Sequence, residues 1–367
     1  MSLSFLEHIS DIEDPRIAGM TTYPLNEVLL TVFIGMLCKL EDLEEIEDFC
    51  TIELVWLRRY LPFANGIAPA QTLRRTLARL DPRHLDKAFT HWAASLTERI
   101  RGVVAIDGKA VRGSRQEADG TGALHLVSAW AHEAGLVLAQ VAVDKKSNEI
   151  TAIPELLEML DCAGTIITID AMGTQKTIAD KIIAKGADYV LALKGNQATL
   201  EDDVKLYFAD PVIAPTLQRH ETVDSDHGRI EERTILTADA AWLAQMRPEW
   251  KGLKSIVAIT EKRMIKKTGK TSIETRYFIT SLPSDPKLLA EAVRAHWGVE
   301  NNLHWTLDMA FREDESRMRK DYSPNNLATI RRAALNIMKL DPMKKSIKRK
   351  RLRASLDREY RQQLLCR

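Results

Sequence analysis

Three carboxylates occupy positions where a sheet and a flanking helix could bring them together. Asp107 falls within a predicted strand, Asp170 ends another, and Glu300 lies in a later helix. If the two strands are neighbours, the aspartates face each other and repel unless a cation neutralises them. Carboxylate oxygens are the ligands that Mg²⁺ prefers. The pattern therefore predicts a site for two divalent ions, which would clamp the attacking and leaving oxygens in phosphoryl transfer.

The helix that carries Glu300 offers a second interpretation. Four residues recur every four positions and so share one helix face: His296, Glu300, His304 and Asp308. Two histidines and two carboxylates could equally form a zinc site, and these residues alone leave both interpretations open. Their spacing excludes the H-E-x-x-H protease motif. Trp297 and Trp305 lie on another stripe of the helix, and we expect them to be buried in the core.

The order of the predicted elements indicates how the aspartates are positioned. Between residues 103 and 193 the pattern is β-β-β-α-β-α-β, with strands at 103–111, 124–131, 136–143, 165–169 and 189–193 and helices at 149–160 and 174–185. Three antiparallel strands followed by alternating helices and strands is the order of a ribonuclease-H-like α/β fold. In that fold the strands of Asp107 and Asp170 are neighbours. Ser147 or Asn148 is expected to cap the first helix.

Other segments surround this core. The first hundred residues are predicted to be helical, and residues 215–285 have the pattern of β-rich material that interrupts the core. A helix from residue 286 to about 311 resumes the α/β pattern. One further helix at 326–339 precedes a basic tail.

Charge is unevenly distributed, although the net charge of the 367-residue chain is only +1. Residues 1–57 carry −10, residues 58–99 carry +5 and residues 317–367 carry +12. Local basic segments are typical of proteins that bind polyanions, but solvated helix faces and a loose tail would give the same counts. The helix after Pro69 turns three arginines away from its apolar stripe, and it could lie in a DNA groove or be a plain amphipathic helix: Arg74, Arg75 and Arg79.

Composition excludes several classes of protein. With 45% hydrophobic and 28% charged residues, the chain is neither disordered nor collagen-like. No apolar run approaches the roughly 18 residues of a membrane helix, and the first residues lack the features of a signal peptide. The four cysteines lack the paired spacing of a zinc ribbon or a disulfide framework. We expect a soluble protein of a reducing compartment.

Several ordered blocks resemble the insertion-sequence transposases of the H-repeat-associated (ISAs) family. They begin with Asp107-Gly-Lys-Ala-Val-Arg-Gly-Ser and continue at 146–150, 168–172, 193–197, 227–231 and 296–308, with Glu313-Asp314 after the last. The likeness runs from Asp14 to the basic run at 346–351, which is nearly the whole chain. Many long blocks in one order make this resemblance far more specific than a single glycine motif.

The resemblance implies a DDE transposase whose catalytic and metal-binding residues are Asp107, Asp170 and Glu300, and it favours Glu300 as a Mg²⁺ ligand over the zinc interpretation. The implied cofactor is two Mg²⁺ ions, with Mn²⁺ able to substitute. The implied partners are double-stranded DNA, as terminal inverted repeats and target, and a second copy of the chain in a homodimer on DNA, with no membrane. The expected location is the bacterial cytoplasm, at the nucleoid.

Predicted DNA contacts fall into two groups. Phosphate contacts beside the triad are expected from Lys109, Arg112, Lys194 and His296, the last standing where related families have an arginine. Salt-sensitive backbone binding is expected from Arg74, Arg75, Arg79, Lys348, Arg349, Lys350 and Arg351.

The expected domains follow from the same reasoning. A helical N-terminal domain at 1–100 would bind DNA ends, a ribonuclease-H-like catalytic domain at 101–345 would hold a β-rich insertion at about 205–285, and a basic helix or tail would occupy 346–367. Two other functions stay open. One is a catalytically silent, domesticated transposase that only binds DNA, and the other is a stand-alone metal-dependent nuclease.

Overall fold

One mixed sheet organises the described part of the chain. The computed structural model describes residues 4–17, 19–97, 99–116, 122–143, 148–226 and 228–366. Lys146, Ser147 and His227, which belong to the sequence blocks above, lie outside these residues. The strands are β1 (Val103–Val111), β2 (Leu124–Ala131), β3 (Leu136–Ala142), β4 (Ile166–Ile169), β5 (Asp188–Leu193), β6 (Gln218–Asp224), β7 (Arg229–Asp239), β8 (Ser255–Ile265) and β9 (Thr271–Thr280).

The first five strands have the predicted order and connections. Their order in space is β3-β2-β1-β4-β5, with β1, β2 and β3 antiparallel and β4 and β5 parallel to β1. Runs of β-branched and aliphatic residues such as Ile-Ile-Thr-Ile in β4 are buried, because helices cover this part of the sheet. The mixed α/β class predicted from the sequence is therefore confirmed.

The β-rich segment continues the same sheet. β9 pairs antiparallel with β5, and β8, β7 and β6 follow in that order towards the edge. The sheet order is thus β3-β2-β1-β4-β5-β9-β8-β7-β6. This segment therefore extends the central sheet beyond β5.

Helices cover the sheet and build a second layer. Those before β1 are α1 (Ser4–Ser10), α2 (Leu25–Leu37), α3 (Leu43–Ile52), α4 (Leu54–Leu57), α5 (Ala70–Arg79) and α6 (Pro82–Ser95). Those after β3 are α7 (Glu149–Glu158), α8 (Lys176–Ala184), α9 (Ala198–Ala209), α10 (Ala241–Met246), α11 (Pro286–Gly298), α12 (Trp305–Phe311), α13 (Ser323–Leu340), α14 (Ile347–Leu356) and α15 (Arg358–Leu365). None of the helices in these ranges combines the length and apolar character needed to cross a bilayer.

Two details of the helices matter for the site. The side chain of Asn148 accepts a hydrogen bond from the backbone N–H of Ile150, which caps α7 as one of the two predicted alternatives. The single helix predicted from residue 286 to about 311 contains a π-helical segment, Val299–His304, between α11 and α12. Such segments shift the register of the helix that follows and often occur at functional sites.

The C-terminal helices belong to the N-terminal helical core. One apolar cluster joins α2, α6, α12, α13 and α15, including Phe33, Trp92, Phe311, Leu335 and Leu364, all fully buried. The basic C-terminal run is therefore folded into this core as α14 and α15 rather than loose.

Candidate catalytic site

Asp107 and Asp170 lie side by side on neighbouring strands. Ile106 on β1 is the register partner of Ile169 on β4. Asp107 follows Ile106 within β1, and Asp170 follows Ile169 directly after the end of β4. Because the two strands are parallel, both carboxylates emerge at the same end of the pair. This is the juxtaposition that the predicted strand order required.

The site concentrates negative charge. Burial, together with the charges of Asp170, Glu149 and Glu300, raises the pKa of Asp107 to about 7, against a hydrogen bond from the Gly108 N–H that lowers it. Burial also raises the pKa of Asp170, and the neighbouring charge of Glu149 adds to that effect. A carboxyl that resists ionisation because of its neighbours gains most from a bound cation.

Glu149 is a fourth carboxylate that the sequence interpretation did not assign to the site. It is the first residue of α7, is nine-tenths buried, and contacts His125 Nε2 through Oε1 at 2.6 Å. This hydrogen bond raises the pKa of His125. A signal was present, because Glu149 lies in the 146–150 block and directly follows a capping Asn.

Glycine at position 108 makes room for this pair. A Cβ built on Gly108 would lie 2.0 Å from Glu149 Oε1 and 2.6 Å from His125 Nε2. Gly108→Ala must therefore push the two side chains away from Asp107. Since a displacement of about 1 Å at a catalytic site can cost about 10²-fold in rate, we expect a loss of that order in metal-dependent DNA cleavage, measured on a labelled duplex. Gly122→Ala, where nothing lies within 4 Å of the added Cβ, should retain cleavage; equal loss in both variants would contradict this account.

Glu300 lies close to the aspartates but does not converge with them. It is exposed within the π-helical segment, and its charge helps to raise the pKa of Asp107. Among the described residues, no group of three His, Cys, Asp or Glu side chains is arranged to hold a metal ion.

His304 lies beside Asp107, with 3.4 Å between His304 Nδ1 and Asp107 Oδ2. Burial lowers the pKa of His304 to about 3, so the imidazole is neutral.

The residues that the four-residue spacing suggested for a zinc site make contacts with different partners and do not form one site. His296 Nδ1 is 3.0 Å from Thr168 Oγ1, His304 contacts Asp107, and Asp308 accepts a hydrogen bond from Lys109. Burial also lowers the pKa of His296 to about 4. Thr168 thus occupies Nδ1 of His296, and contact of His296 with a phosphate stays a prediction.

Lys109 departs from its predicted role as a phosphate contact. Its ammonium is nine-tenths buried and pairs with Asp308 and with Glu313 Oε2 at 3.2 Å. The charge is thus used inside the protein, where it ties β1 to the segment after α12. Arg112 and Lys194, by contrast, are exposed, and the charge of Lys194 lowers the pKa of Asp170.

Of the cations predicted to bind the DNA backbone, some are exposed and others are buried. Arg75 and Arg79 on α5 are exposed, and Arg74 is partly exposed in an ion pair with Glu44. On α14, Lys348 and Arg349 are exposed.

Lys350 and Arg351 are buried, which corrects their assignment as DNA contacts. Lys350 Nζ donates to Met338 O and Asp341 O at 2.9 and 2.7 Å. Arg351 Nε donates to Met36 O at 2.7 Å, and its guanidinium stacks on Phe311. Both side chains join α14 to the helical core and do not reach the surface where a phosphate would lie.

The tryptophans beside Glu300 are exposed, which corrects the expectation that they belong to the core. Trp297 is 42% exposed and Trp305 is 61% exposed. The guanidinium of Arg276 lies 4.9 Å from the ring centroid of Trp297. The π-helical segment lies between the two tryptophans, so a single helical period does not relate their positions.

The donor set at this edge fits a hard divalent cation. Asp107, Asp170, Glu149 and Glu300 offer only carboxylate oxygens, which suit Mg²⁺ or Mn²⁺ better than zinc. A bound cation would also relieve the mutual repulsion of these carboxylates, which raises the pKa values of Asp107 and Asp170.

This electrostatic arrangement predicts a pH-dependent response to Mg²⁺. The pKa of Asp107, raised to about 7, means that the folded protein keeps a proton there which the unfolded chain releases near 4, so intrinsic stability falls as pH rises across this window. A cation must displace that proton at low pH. Mg²⁺ should therefore raise the thermal midpoint more at about pH 8 than at about pH 6. At 100 times its Kd, a bound ligand adds about 2.7 kcal/mol to the free energy of unfolding. The same shift in Asp107→Asn would contradict the assignment.

Comparison with known protein families gives two matches along the chain. The family described as Transposase DDE domain matches residues 98–337, and the family described as DDE_Tnp_1-associated matches residues 6–93. Together these ranges contain all the carboxylates of the candidate site and the arginines of α5.

Two relatives are similar over nearly their full length. The protein named "Putative transposase YncI" of Escherichia coli O157:H7 is 38% identical over 367 residues, covering 99% of this chain and 94% of its own. The "H repeat-associated putative transposase YhhI" of Escherichia coli strain K12 is 37% identical over 361 residues, covering 97% and 96%. Among solved structures, a piggyBac transposase synaptic complex with hairpin DNA matches with a TM-score of 0.46 and 12% identity, over 99% of this chain and 77% of the other.

Proposed function

We propose that this chain, which belongs to the transposase DDE domain family and to its H-repeat-associated group, is a DNA transposase. It binds the terminal inverted repeats of its own element, hydrolyses the phosphodiester at each end and joins the freed 3′ ends to target DNA. The observation that carries the proposal is that Asp107, within β1, and Asp170, directly after β4, follow register partners on these neighbouring parallel strands. The strand order β3-β2-β1-β4-β5 supports a ribonuclease-H-like catalytic core.

Each chemical step is an in-line displacement at phosphorus. In the first, water attacks the phosphodiester at the element end, and the P–O bond to the 3′ oxygen breaks to leave a 3′-OH. In the second, that 3′-OH attacks a phosphodiester of the target and expels a target 3′ oxygen. Such displacements need positioning and neutralisation of charge more than covalent help.

Carboxylates would bind the metal ions, and nearby cations would contact the phosphates. Asp107, Asp170 and Glu300 would hold two Mg²⁺ ions, for which Mn²⁺ could substitute, and bound ions supply charge neutralisation and a more acidic water. Lys194 is exposed beside Asp170 and Arg112 is exposed just after β1, so both are available to contact the phosphates that flank the scissile bond. The carboxylates themselves repel DNA, which makes nearby cations necessary.

DNA binding is assigned to the surfaces outside the carboxylate edge. The helical region at 1–100 would bind the repeats through Arg74, Arg75 and Arg79, with Lys348 and Arg349 on α14 adding contacts. The catalytic region would be 101–345, with its β-rich insertion at about 205–285, and 346–367 the C-terminal helices. A homodimer would bridge the two ends of the element at the bacterial nucleoid.

Cleavage of a defined duplex tests the proposal. A labelled duplex carrying the DNA that flanks this gene should be bound without divalent ions and nicked at the repeat boundary once Mg²⁺ is added. Binding without nicking in either Mg²⁺ or Mn²⁺ would favour a catalytically silent DNA-binding protein. Nicking without specificity for the repeat boundary would favour a stand-alone nuclease.

A further inference from the structure

A short segment after α12 crosses from the candidate catalytic strand to the arginine-bearing helix. We call residues 312–322 the strap. At its beginning, Asp314 Oδ1 accepts a hydrogen bond from the backbone N–H of Arg112, and Arg319 Nε donates to Gly113 O at 2.9 Å. A Cβ at Gly113 would lie 2.3 Å from Ser316 O. The strap therefore rests directly on the backbone that follows β1.

The far end of the strap is fixed to α5. The backbone N–H of Tyr322 donates to Ala78 O at 3.3 Å. Just beyond, Asn326 Nδ2 donates to Leu77 O and Leu80 O at 2.8 and 2.7 Å. Because both ends are anchored, the exposed side chains between them are held at a set position relative to Asp107 and to the arginines of α5.

The strap presents cations to a large cleft. Arg317, Arg319 and Lys320 are exposed and line a cleft of about 2480 Å³, together with cations of α5 and α6: Arg74, Arg79, Arg83 and Lys87. His125 and Glu149 line the same cleft, so it leads to the pair that lies beside Asp107.

Acidic residues also line the cleft, and two of them are paired with cations. Asp81 is paired with Arg83 at 2.5 Å, and Glu158 on α7 is paired with Lys181 at 2.7 Å. Glu155 on α7 and Asp321 on the strap are exposed. On the side formed by the strap, α5 and α6, seven arginine and lysine side chains line the cleft, against three aspartates: Asp81, Asp86, which is buried, and Asp321. On the side of α7 and the catalytic edge, the lining carboxylates are Glu149, Glu155 and Glu158. The excess of positive charge therefore lies on the first side.

We propose that the strap is a phosphate-binding element that, with α5 and α6, holds the backbone of the DNA end in this cleft. This inference rests on the proposed function and identifies a surface for it. A polyanion that approaches four carboxylates needs cations fixed close by, and the strap supplies three of them on a segment tied to β1. The contacts would be to phosphates and so independent of base sequence.

Removal of the three strap cations tests the proposal. We would measure binding of the labelled element-end duplex in EDTA, which separates binding from cleavage, over a range of salt concentrations. In Arg317→Ala/Arg319→Ala/Lys320→Ala, affinity should fall by at least about tenfold, and the slope of log K against log salt should become shallower by about 2.7, or 0.9 for each lost phosphate contact.

A matched control removes three exposed cations from one turn elsewhere. Lys266, Lys267 and Lys270 lie on the turn between β8 and β9 and are not among the residues that line the cleft. Their triple alanine variant should keep the parental slope. Arg317→Gln/Lys320→Gln keeps the hydrogen bond from Arg319 to Gly113 and therefore tests the loss of charge without loss of the strap's fold. In this variant the slope of log K against log salt should become shallower by about 1.8.

The outcomes separate the two proposals. A parental slope in the strap variants, or equal losses in the strap and control triples, would overturn the role of the strap and leave the transposase assignment standing. Failure of the parent itself to bind the element-end duplex above an unrelated duplex would overturn both. A selective loss in the strap variants, with an unchanged thermal midpoint, would establish the surface.

Discussion

Asp107→Asn and Asp170→Asn should each abolish DNA cleavage while leaving DNA binding intact. Asparagine keeps the shape of the side chain but removes the charge that would hold a divalent cation. Losing a single preorganised electrostatic contact in an active site costs about 10²–10³ in rate, and loss of a cation ligand should cost at least as much. The measurement is single-turnover nicking of the element-end duplex in Mg²⁺, with affinity measured in EDTA.

The same substitutions carry a signature in stability. Burial and the charges of Asp170, Glu149 and Glu300 raise the pKa of Asp107, so the ionised carboxylate is unfavourable in the cation-free protein. Asp107→Asn should therefore leave the thermal midpoint above pH 7 unchanged or higher. Such a gain in stability at the expense of activity is typical of substitutions at functional sites. Asp180→Asn, an exposed carboxylate on α8, is the control and should retain parental cleavage. A cleaving Asp170→Asn protein would refute the assignment.

Glu313→Gln should be the most destabilising single substitution of a charged residue near the site. Glu313 is fully buried, and its carboxylate contacts Arg332 Nη1 at 2.9 Å and Lys109 Nζ at 3.2 Å. Removing one partner of a buried ion pair leaves uncompensated charge and costs about 3–5 kcal/mol. The free energy of unfolding in urea, compared between variant and parent, measures this loss.

Acid unfolding provides an independent check on Glu313. Burial raises its pKa, but Arg332, Lys109 and Arg331 outweigh burial and lower the pKa to about 2. Because this folded-state pKa lies below the ordinary 4.5, the stabilisation is complete above about pH 4.5 and is lost as pH falls towards 2. Glu313→Gln should lack this component of the acid transition. Glu315→Gln, an exposed partner of Arg312, should match the parent, and a comparable loss there would contradict the account.

Local patterns were sufficient for the core of the sheet. The strands at 103–111 and 124–131 match β1 and β2 at both ends, because their apolar and β-branched runs stop at glycine or polar residues. The place of β9 was not predictable in this way. Pairing of β9 with β5 joins residues almost ninety positions apart, and no periodicity within either strand specifies its partner.

In the candidate site, too, the features set by neighbouring residues were predictable and those set by distant residues were not. Asp107 and Asp170 were found because each directly follows a run of apolar or β-branched residues in its strand, which is a local property of the sequence. Lys109 was misassigned because its partners, Asp308 and Glu313, come from about 200 residues further along the chain. Arg351 was misassigned similarly, since a run of cations predicts a surface while the accepting carbonyl of Met36 lies in α2.

Joining of a pre-cleaved end tests the central claim most directly. A duplex that already carries the free 3′-OH of the element end would be incubated with supercoiled plasmid, Mg²⁺ and either the parent or Asp107→Asn. The account predicts covalent insertion of the labelled end by the parent and none by the variant, although both bind the duplex equally. No joining by a parent that cleaves the uncut end, or equal joining by Asp107→Asn, would contradict it.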